Sequence, residues 1–294
     1  MPVKNSFGNM PEQSRMEVRS RMKESIKLTI VLTMSLLFAS CSSGGSDDSG
    51  DTPGISDDVT KNVILALTCI PENDTTSFVY NYAENINDGR GITFGIIGFT
   101  SGTFDGTELL KLIRKKDSSN PLCAYIPAFE TIDNLTHVNG HTDNVTGLVN
   151  FINDFNSYGN DRVVKEAQLE LLDEFYWDPA MVIAETRGIK LNITKGQIYD
   201  ACIRHGSSDA RKIAELTDAA VGSPSKGGNE IDWLKHYFVE RKKLYEKEGD
   251  TGVIPRIDVL YQGILDSGNL MLIPPFDVKC NDAVTAYTIT GEKP

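Results

Sequence analysis

Apolar and polar positions follow two rhythms along this chain. Val59, Val63, Ile64, Leu67 and Ile70 recur three or four apart, the period of a helix with one buried face. Phe78 to Ile86 instead alternates bulky and polar residues, Asn87-Asp88-Gly89-Arg90-Gly91 is turn-forming, and Ile92 to Ile97 is β-prone. That order predicts a hairpin with Asp88 at its tip. Helical spacing returns over 106–116, with Leu109, Leu110 and Ile113 on one face, and in shorter pieces over 122–135 and 145–156. A long helix is predicted over 161–174 and another over 195–205, the latter with Ile198, Tyr199, Cys202 and Ile203 inward; Gly227 to Trp233 opens a further one. No repeat and no second low-complexity break follows Asp57, so residues 58–294 read as one domain, α+β and mostly helical, with a small antiparallel sheet.

The first 57 residues follow a different logic. Lys23 and Lys27 precede an uncharged run from Leu28 to Ala39, too short for a comfortable membrane span and suited to a signal peptide, so residues 1–40 are expected to be removed. Met22 is an alternative start. Cys41 after Leu37-Phe-Ala-Ser40 resembles a bacterial lipobox, whose cysteine is acylated. Residues 41–57 are Ser, Gly and Asp-rich and cannot bury a core, so they read as a flexible tether. The acidic run beside Cys41 resembles the surface-export signals of Bacteroidetes lipoproteins, or is simply a solvated linker. The expected location is an outer membrane reached through the lipid, with the domain exposed outside.

Charge narrows the partners. The chain carries −12, and its leader holds six Lys or Arg against three Glu, so the processed protein is more acidic still. Nucleic acid, which needs clustered cations, is disfavoured. Cys69, Cys123, Cys202 and Cys280 lack metal-ligand spacing, and the four His are scattered, so no metal and no cofactor are expected. A monomer is expected.

The candidate chemistry lies in two carboxylates. Glu72 falls at or just past the end of the first helix, where the partial negative charge of the terminus disfavours a second negative charge and suits a proton donor. Asp88, at the predicted hairpin tip, would face it across a cleft. One carboxylic acid and one carboxylate on opposite faces of a sugar ring are what glycoside hydrolysis requires. A helix-end residue and an Asx-type turn residue are the plainer alternative.

The residues around them add to this. Glu72-Asn, Tyr80-Asn-Tyr82, and then Asp88-Gly-Arg-Gly-Ile-Thr93-Phe-Gly-Ile-Ile-Gly-Phe-Thr-Ser-Gly-Thr-Phe-Asp105 resemble the chitosanases of glycoside hydrolase family 46. The resemblance implies a two-lobed, lysozyme-like fold and endo-hydrolysis of β-1,4 links between glucosamine units of chitosan, with inversion. It implies Glu72 as general acid, Asp88 as general base and Thr93 as holder of the attacking water. It also implies Arg90, Asp105, Tyr176 and His205 along the substrate cleft. Asp200, in an apolar helix, would be paired with Arg241 and Arg256 to brace the cleft floor. Glu84, four residues before Asp88, is a competing base or a partner for Arg90. An acidic cleft suits a polycationic polysaccharide. The resemblance continues through Tyr125-Ile-Pro-Ala, Asp178-Pro-Ala and Gly268-Asn-Leu-Met-Leu-Ile-Pro-Pro275 and spans about residues 60 to 292. Pro71 departs from it and predicts a first helix that ends a turn early. A muramidase of similar fold, or a sugar-binding lipoprotein without turnover, are the alternatives.

Overall fold

The computed structural model describes residues 56–138, 140–280 and 284–294, so the leader, Cys41 and nearly all of the tether lie outside the described residues. The first helix, α1 (Asp57–Asn73), opens on Ser56, whose hydroxyl accepts from the Val59 amide, with Asp57 and Asp58 in its first turn. Both features suit the positive end of a helix. Val63, Ile64, Leu67 and Ile70 are buried, as their spacing predicts.

Pro71 does not end α1 early. The helix runs through it to Asn73 and closes at Asp74, whose left-handed backbone lets its N–H reach the Ile70 carbonyl. So near the end of the helix a proline removes one hydrogen bond without undoing the last turn.

The predicted hairpin is real but much shorter than its pattern. β1 (Ala83–Glu84) pairs antiparallel with β2 (Thr93–Phe94), in register Ala83 to Phe94 and Glu84 to Thr93. A third strand that periodicity did not predict, β3 (Phe99–Thr100), continues the sheet. Ile96 and Ile97 lie in the turn between β2 and β3 and are buried there. Outside the strands the segments stay tied by single bonds, Gly95 N–H to Tyr82 O, Ser101 N–H to Ile92 O and Gly102 N–H to Arg90 O. The aromatic faces explain why so small a sheet holds: Phe94 lies 4.8 Å from Phe151 and 4.9 Å from Phe155, edge to face.

The helices follow. α2 (Asp105–Lys116) and α3 (Ile126–Asp133) occupy predicted segments, but the 145–156 segment is helical only as α4 (Phe151–Tyr158). α5 (Arg162–Leu172) passes through a π-helical turn, Asp173–Trp177, into α6 (Asp178–Thr186). α7 (Asn192–His205) is almost wholly buried and packs against α1, α6 and α8 (Ser207–Val221). α9 (Glu230–Glu248) starts on Asn229, whose side chain accepts from the Ile231 and Asp232 amides. A second π-helical turn, Arg256–Tyr261, leads into α10 (Gln262–Ser267). A hairpin of β4 (Phe276–Lys279) and β5 (Ala286–Ile289) ends the chain and packs back on α1. The fold is therefore mostly helical with small antiparallel sheets, in two lobes that share one continuous core.

Among the described residues no helix is long and apolar enough to cross a membrane. Cys69, Cys202 and Cys280 are buried free thiols and Cys123 is half-buried and free.

Candidate active site

Glu72 stands in the last turn of α1, and the first partner it meets is a cation. Arg256 Nη2 donates to Glu72 Oε1 at 2.7 Å, and the same nitrogen donates to Asp200 Oδ1 at 2.8 Å. Arg241 Nη1 donates to the other oxygen of Asp200, also at 2.8 Å. Asp200 and Arg241 are fully buried and Arg256 is 1% exposed. Two guanidiniums thus share the buried Asp200, a pairing that holds charges away from water, and one of them reaches the half-buried Glu72. Burial pushes the Asp200 carboxyl up, but the adjacent Arg256 and Arg241 outweigh it and hold the carboxyl below its usual range. The predicted grouping of Asp200, Arg241 and Arg256 is present, and it ends on Glu72 itself.

The π-helical turn that begins at Arg256 aims that side chain inward. The other π-helical turn carries Tyr176, which packs on Phe175 at 6.4 Å, half-buried. Insertions of this kind re-aim side chains within a helix and recur at functional sites. Trp177 packs on Tyr199 at 5.5 Å with the Lys61 ammonium 5.0 Å over its ring, so its role here is to join the turn to α7 and α1.

Asp88 lies in the loop between β1 and β2, as the turn residues predict. Its Oδ1 accepts from the Arg90 backbone N–H at 3.1 Å, an Asx turn, and its Oδ2 accepts from Arg90 Nε at 2.8 Å and from Arg90 Nη2. Arg90 is 5% exposed, so it sits under Asp88 and orients it rather than lying open in the cleft. The plain turn reading of Asp88 is therefore correct as geometry and compatible with a chemical role.

Glu84 does not hold Arg90. It is exposed, and its Oε2 accepts from Tyr82 Oη at 3.1 Å. Tyr82 lines a cavity of about 30 Å³, room for one or two waters, together with Glu72, Cys69, Phe78 and Tyr199. Its hydroxyl pKa is pushed up to about 12, first by burial, then by the hydrogen bond to Glu84 and by the charges of Glu84 and Asp88. Tyr82 thus stands within electrostatic reach of Asp88 while sharing a wall with Glu72.

Thr93 is fully buried in β2, and its hydroxyl has no hydrogen-bond partner among the described residues. Asp105, the first residue of α2, accepts at Oδ1 from the Thr100 N–H at 3.2 Å, Thr103 Oγ1 at 2.7 Å and the Gly106 N–H at 3.0 Å. It ties β3 to the first turn of α2 and remains half-buried.

His205, expected along the cleft, is 5% exposed. Its ring packs 4.6 Å from Tyr245 and its Nδ1 lies 3.8 Å from Glu248. The reason is that Tyr245 and Glu248, both on α9, lie against the last turn of α7. Burial first, and then the charges of Arg241, Arg256 and Arg204, lower the His205 pKa to about 2, so the ring is neutral.

Periodicity did not single out Gln197 and Tyr245, yet both hold Arg241, at 2.7 Å and 2.9 Å. The signal was available: Gln197 precedes Asp200 by one turn of α7, and Tyr245 follows Arg241 by one turn of α9. Among the described residues no cluster of His, Cys, Asp and Glu could hold a metal ion.

Residues 66–276 match the model of glycosyl hydrolase family 46. A chitosanase of Bacillus subtilis is 31% identical over 228 residues, 74% of this chain and 80% of the relative. A Streptomyces chitosanase is 32% identical over 232 residues, 77% of this chain and 81% of the relative. A mutant Bacillus subtilis chitosanase solved with six GlcN superposes with a TM-score of 0.70 at 28% identity, covering 81% of this chain and all of that one. The Gynuella sunshinyii chitosanase in complex with chitotetraose gives 0.68 at 26% identity, over 80% and 98%.

Proposed function

The chain belongs to glycosyl hydrolase family 46, and from that premise we propose that it cuts chitosan within the chain, with inversion, using Glu72 as general acid and Asp88 as general base. The protein is a glycosidase of chitosan. The assignment of roles rests chiefly on the separate anchoring of the two carboxylates, Glu72 on Arg256 and Asp88 on Arg90.

Glycosidic cleavage by inversion needs a proton delivered to the leaving oxygen on one face and a water deprotonated on the other. Glu72 would deliver the proton. Asp88, with Oδ2 held in the fork of Arg90, would take one from the water. Thr93 is assigned to hold that water: an unpaired buried hydroxyl costs roughly 1–3 kcal/mol, which a bound water offsets. Tyr176 would contact the sugar, while Arg90 and Asp105 act mainly as anchors beside it. The Asp200, Arg241 and Arg256 chain fixes the height of Glu72.

Reducing-end release from chitosan, chitin and peptidoglycan side by side tests the substrate. Release from chitosan alone is expected; clearing of peptidoglycan without it would return the muramidase reading. NMR of the first product should show the α-anomer, and a first-formed β-anomer would mean retention.

The same proposal extends to location. Residues 1–40 act as a signal peptide, Cys41 is acylated, and residues 41–57 tether the domain 58–294 at an outer-membrane surface. Cys41→Ser should yield protein without acyl groups that is no longer anchored; membrane-bound, acylated C41S protein would overturn it.

A further inference from the structure

The geometry points to His141 as a positioning residue for Asp88, acting through the backbone of Gly89; this rests on the proposed role of Asp88 as base. His141 Nδ1 lies 2.7 Å from the Gly89 carbonyl oxygen. A carbonyl can only accept, so Nδ1 carries the proton and the ring is held as the Nδ1–H tautomer or the imidazolium. Gly89 is the residue directly after Asp88, and its φ of +87° is one that other residues rarely adopt. The ring packs so closely that a Cβ on Gly89 would come within 3.2 Å of His141 Cε1.

His141 stands on a strap that crosses the loop from outside the sheet. Val138 and His141 bridge, the Thr142 N–H donates to Gly102 O, and the Gly102 N–H donates to Arg90 O. The strap therefore meets the Asp88-Gly-Arg90 turn directly at the Gly89 carbonyl, through the His141 side chain, and reaches Arg90 only through Gly102. Asp88 has its own bonds to Arg90, which is itself tied to Gly102, but the peptide between them is held from outside by His141. The contact from His141 fixes the turn against an element 52 residues away. A carboxylate that must meet a water on one face of a sugar loses rate steeply when displaced by an ångström.

The test turns on which ring nitrogen does the work. An Asn amide nitrogen occupies the place of His Nδ1, one bond from Cγ, whereas a Gln amide nitrogen occupies that of Nε2. His141→Ala and His141→Gln should each lower kcat on chitosan about tenfold with KM changed less than twofold, and His141→Asn should restore most of it. Melting temperatures of the three variants separate positioning from folding. Wild-type kcat in H141A, or equal loss in H141N and H141Q, would overturn the inference. Asp88→Asn tests the underlying reading separately: if D88N stays active the base is elsewhere, whereas a dead D88N beside a fully active H141A sinks His141 alone. Adding H141A to D88N should cost nothing further in kcat.

Discussion

Arg256 and Glu72, 184 residues apart in sequence, meet through a hydrogen bond of 2.7 Å. The position of Glu72 at the end of the first helix predicts a carboxylate beside the negative pole of the helix. It also joins a charge chain through Arg256 and Asp200 whose other end is Arg241, held by Gln197 and Tyr245. A rigid floor for Glu72 follows, because none of the inner members can move without stranding a buried charge.

Arg256→Ala leaves Asp200 with one guanidinium and removes the partner of Glu72. Breaking a buried ion pair costs about 3–5 kcal/mol, so R256A should lose most of its stability in urea unfolding as well as its activity. Arg256→Lys keeps the charge but cannot reproduce the planar guanidinium, and a partial loss of both is expected.

Glu84→Gln should keep near-normal rates on chitosan, because Glu84 is exposed and bonded to Tyr82 rather than to Arg90. Asp88→Asn and Glu72→Gln should each lower kcat by about 10² to 10⁴ if they serve as base and acid. Steady-state kinetics of the three variants separate the roles, and an inactive E84Q beside an active D88N would exchange the two residues.

His205 makes the protein less stable in acid. Its folded pKa of about 2 lies below its ordinary 6.5, so between those values the unfolded chain binds a proton that the folded chain does not. Stability from this group is complete above pH 6.5 and is lost as pH falls below it, with a limiting slope of about 1.4 kcal/mol per pH unit for one proton. Asp200, held low by its arginines, loses its contribution only at more acid pH, as pH falls through its folded value. Urea unfolding between pH 5 and 6.5 should show the His205 slope, and His205→Gln should flatten it.

Gly102→Ala should fail for a local reason. A Cβ there would lie 1.9 Å from the Thr142 carbonyl oxygen and 2.8 Å from that of Arg90, both backbone atoms that cannot swing aside. The strap must lift off the Asp88 loop, so thermal melting should report a loss of about 2 kcal/mol or more, with reduced kcat in the folded fraction.

Sequence alone determined much of this protein, because the relevant physics is local. The face of α1 and the turn at Asp88 depend on neighbours within about five residues, which spacing and residue type report directly. The Glu72 and Asp88 motifs were legible as strings through their resemblance to glycoside hydrolase family 46. The strands were over-read: β-prone residues from Phe78 to Ile97 supply two paired positions between β1 and β2, since Arg90, Ser101 and the buried aromatic cluster hold the rest as loop. Tertiary structure alone decided the electrostatics of the site. That Arg256 reaches Glu72, that Tyr245 of α9 packs on the buried His205, and that His141 reaches Gly89 are contacts between segments tens to hundreds of residues apart. Periodicity marks which face of an element is buried but not what it is buried against, and charge pairing is set by that second fact.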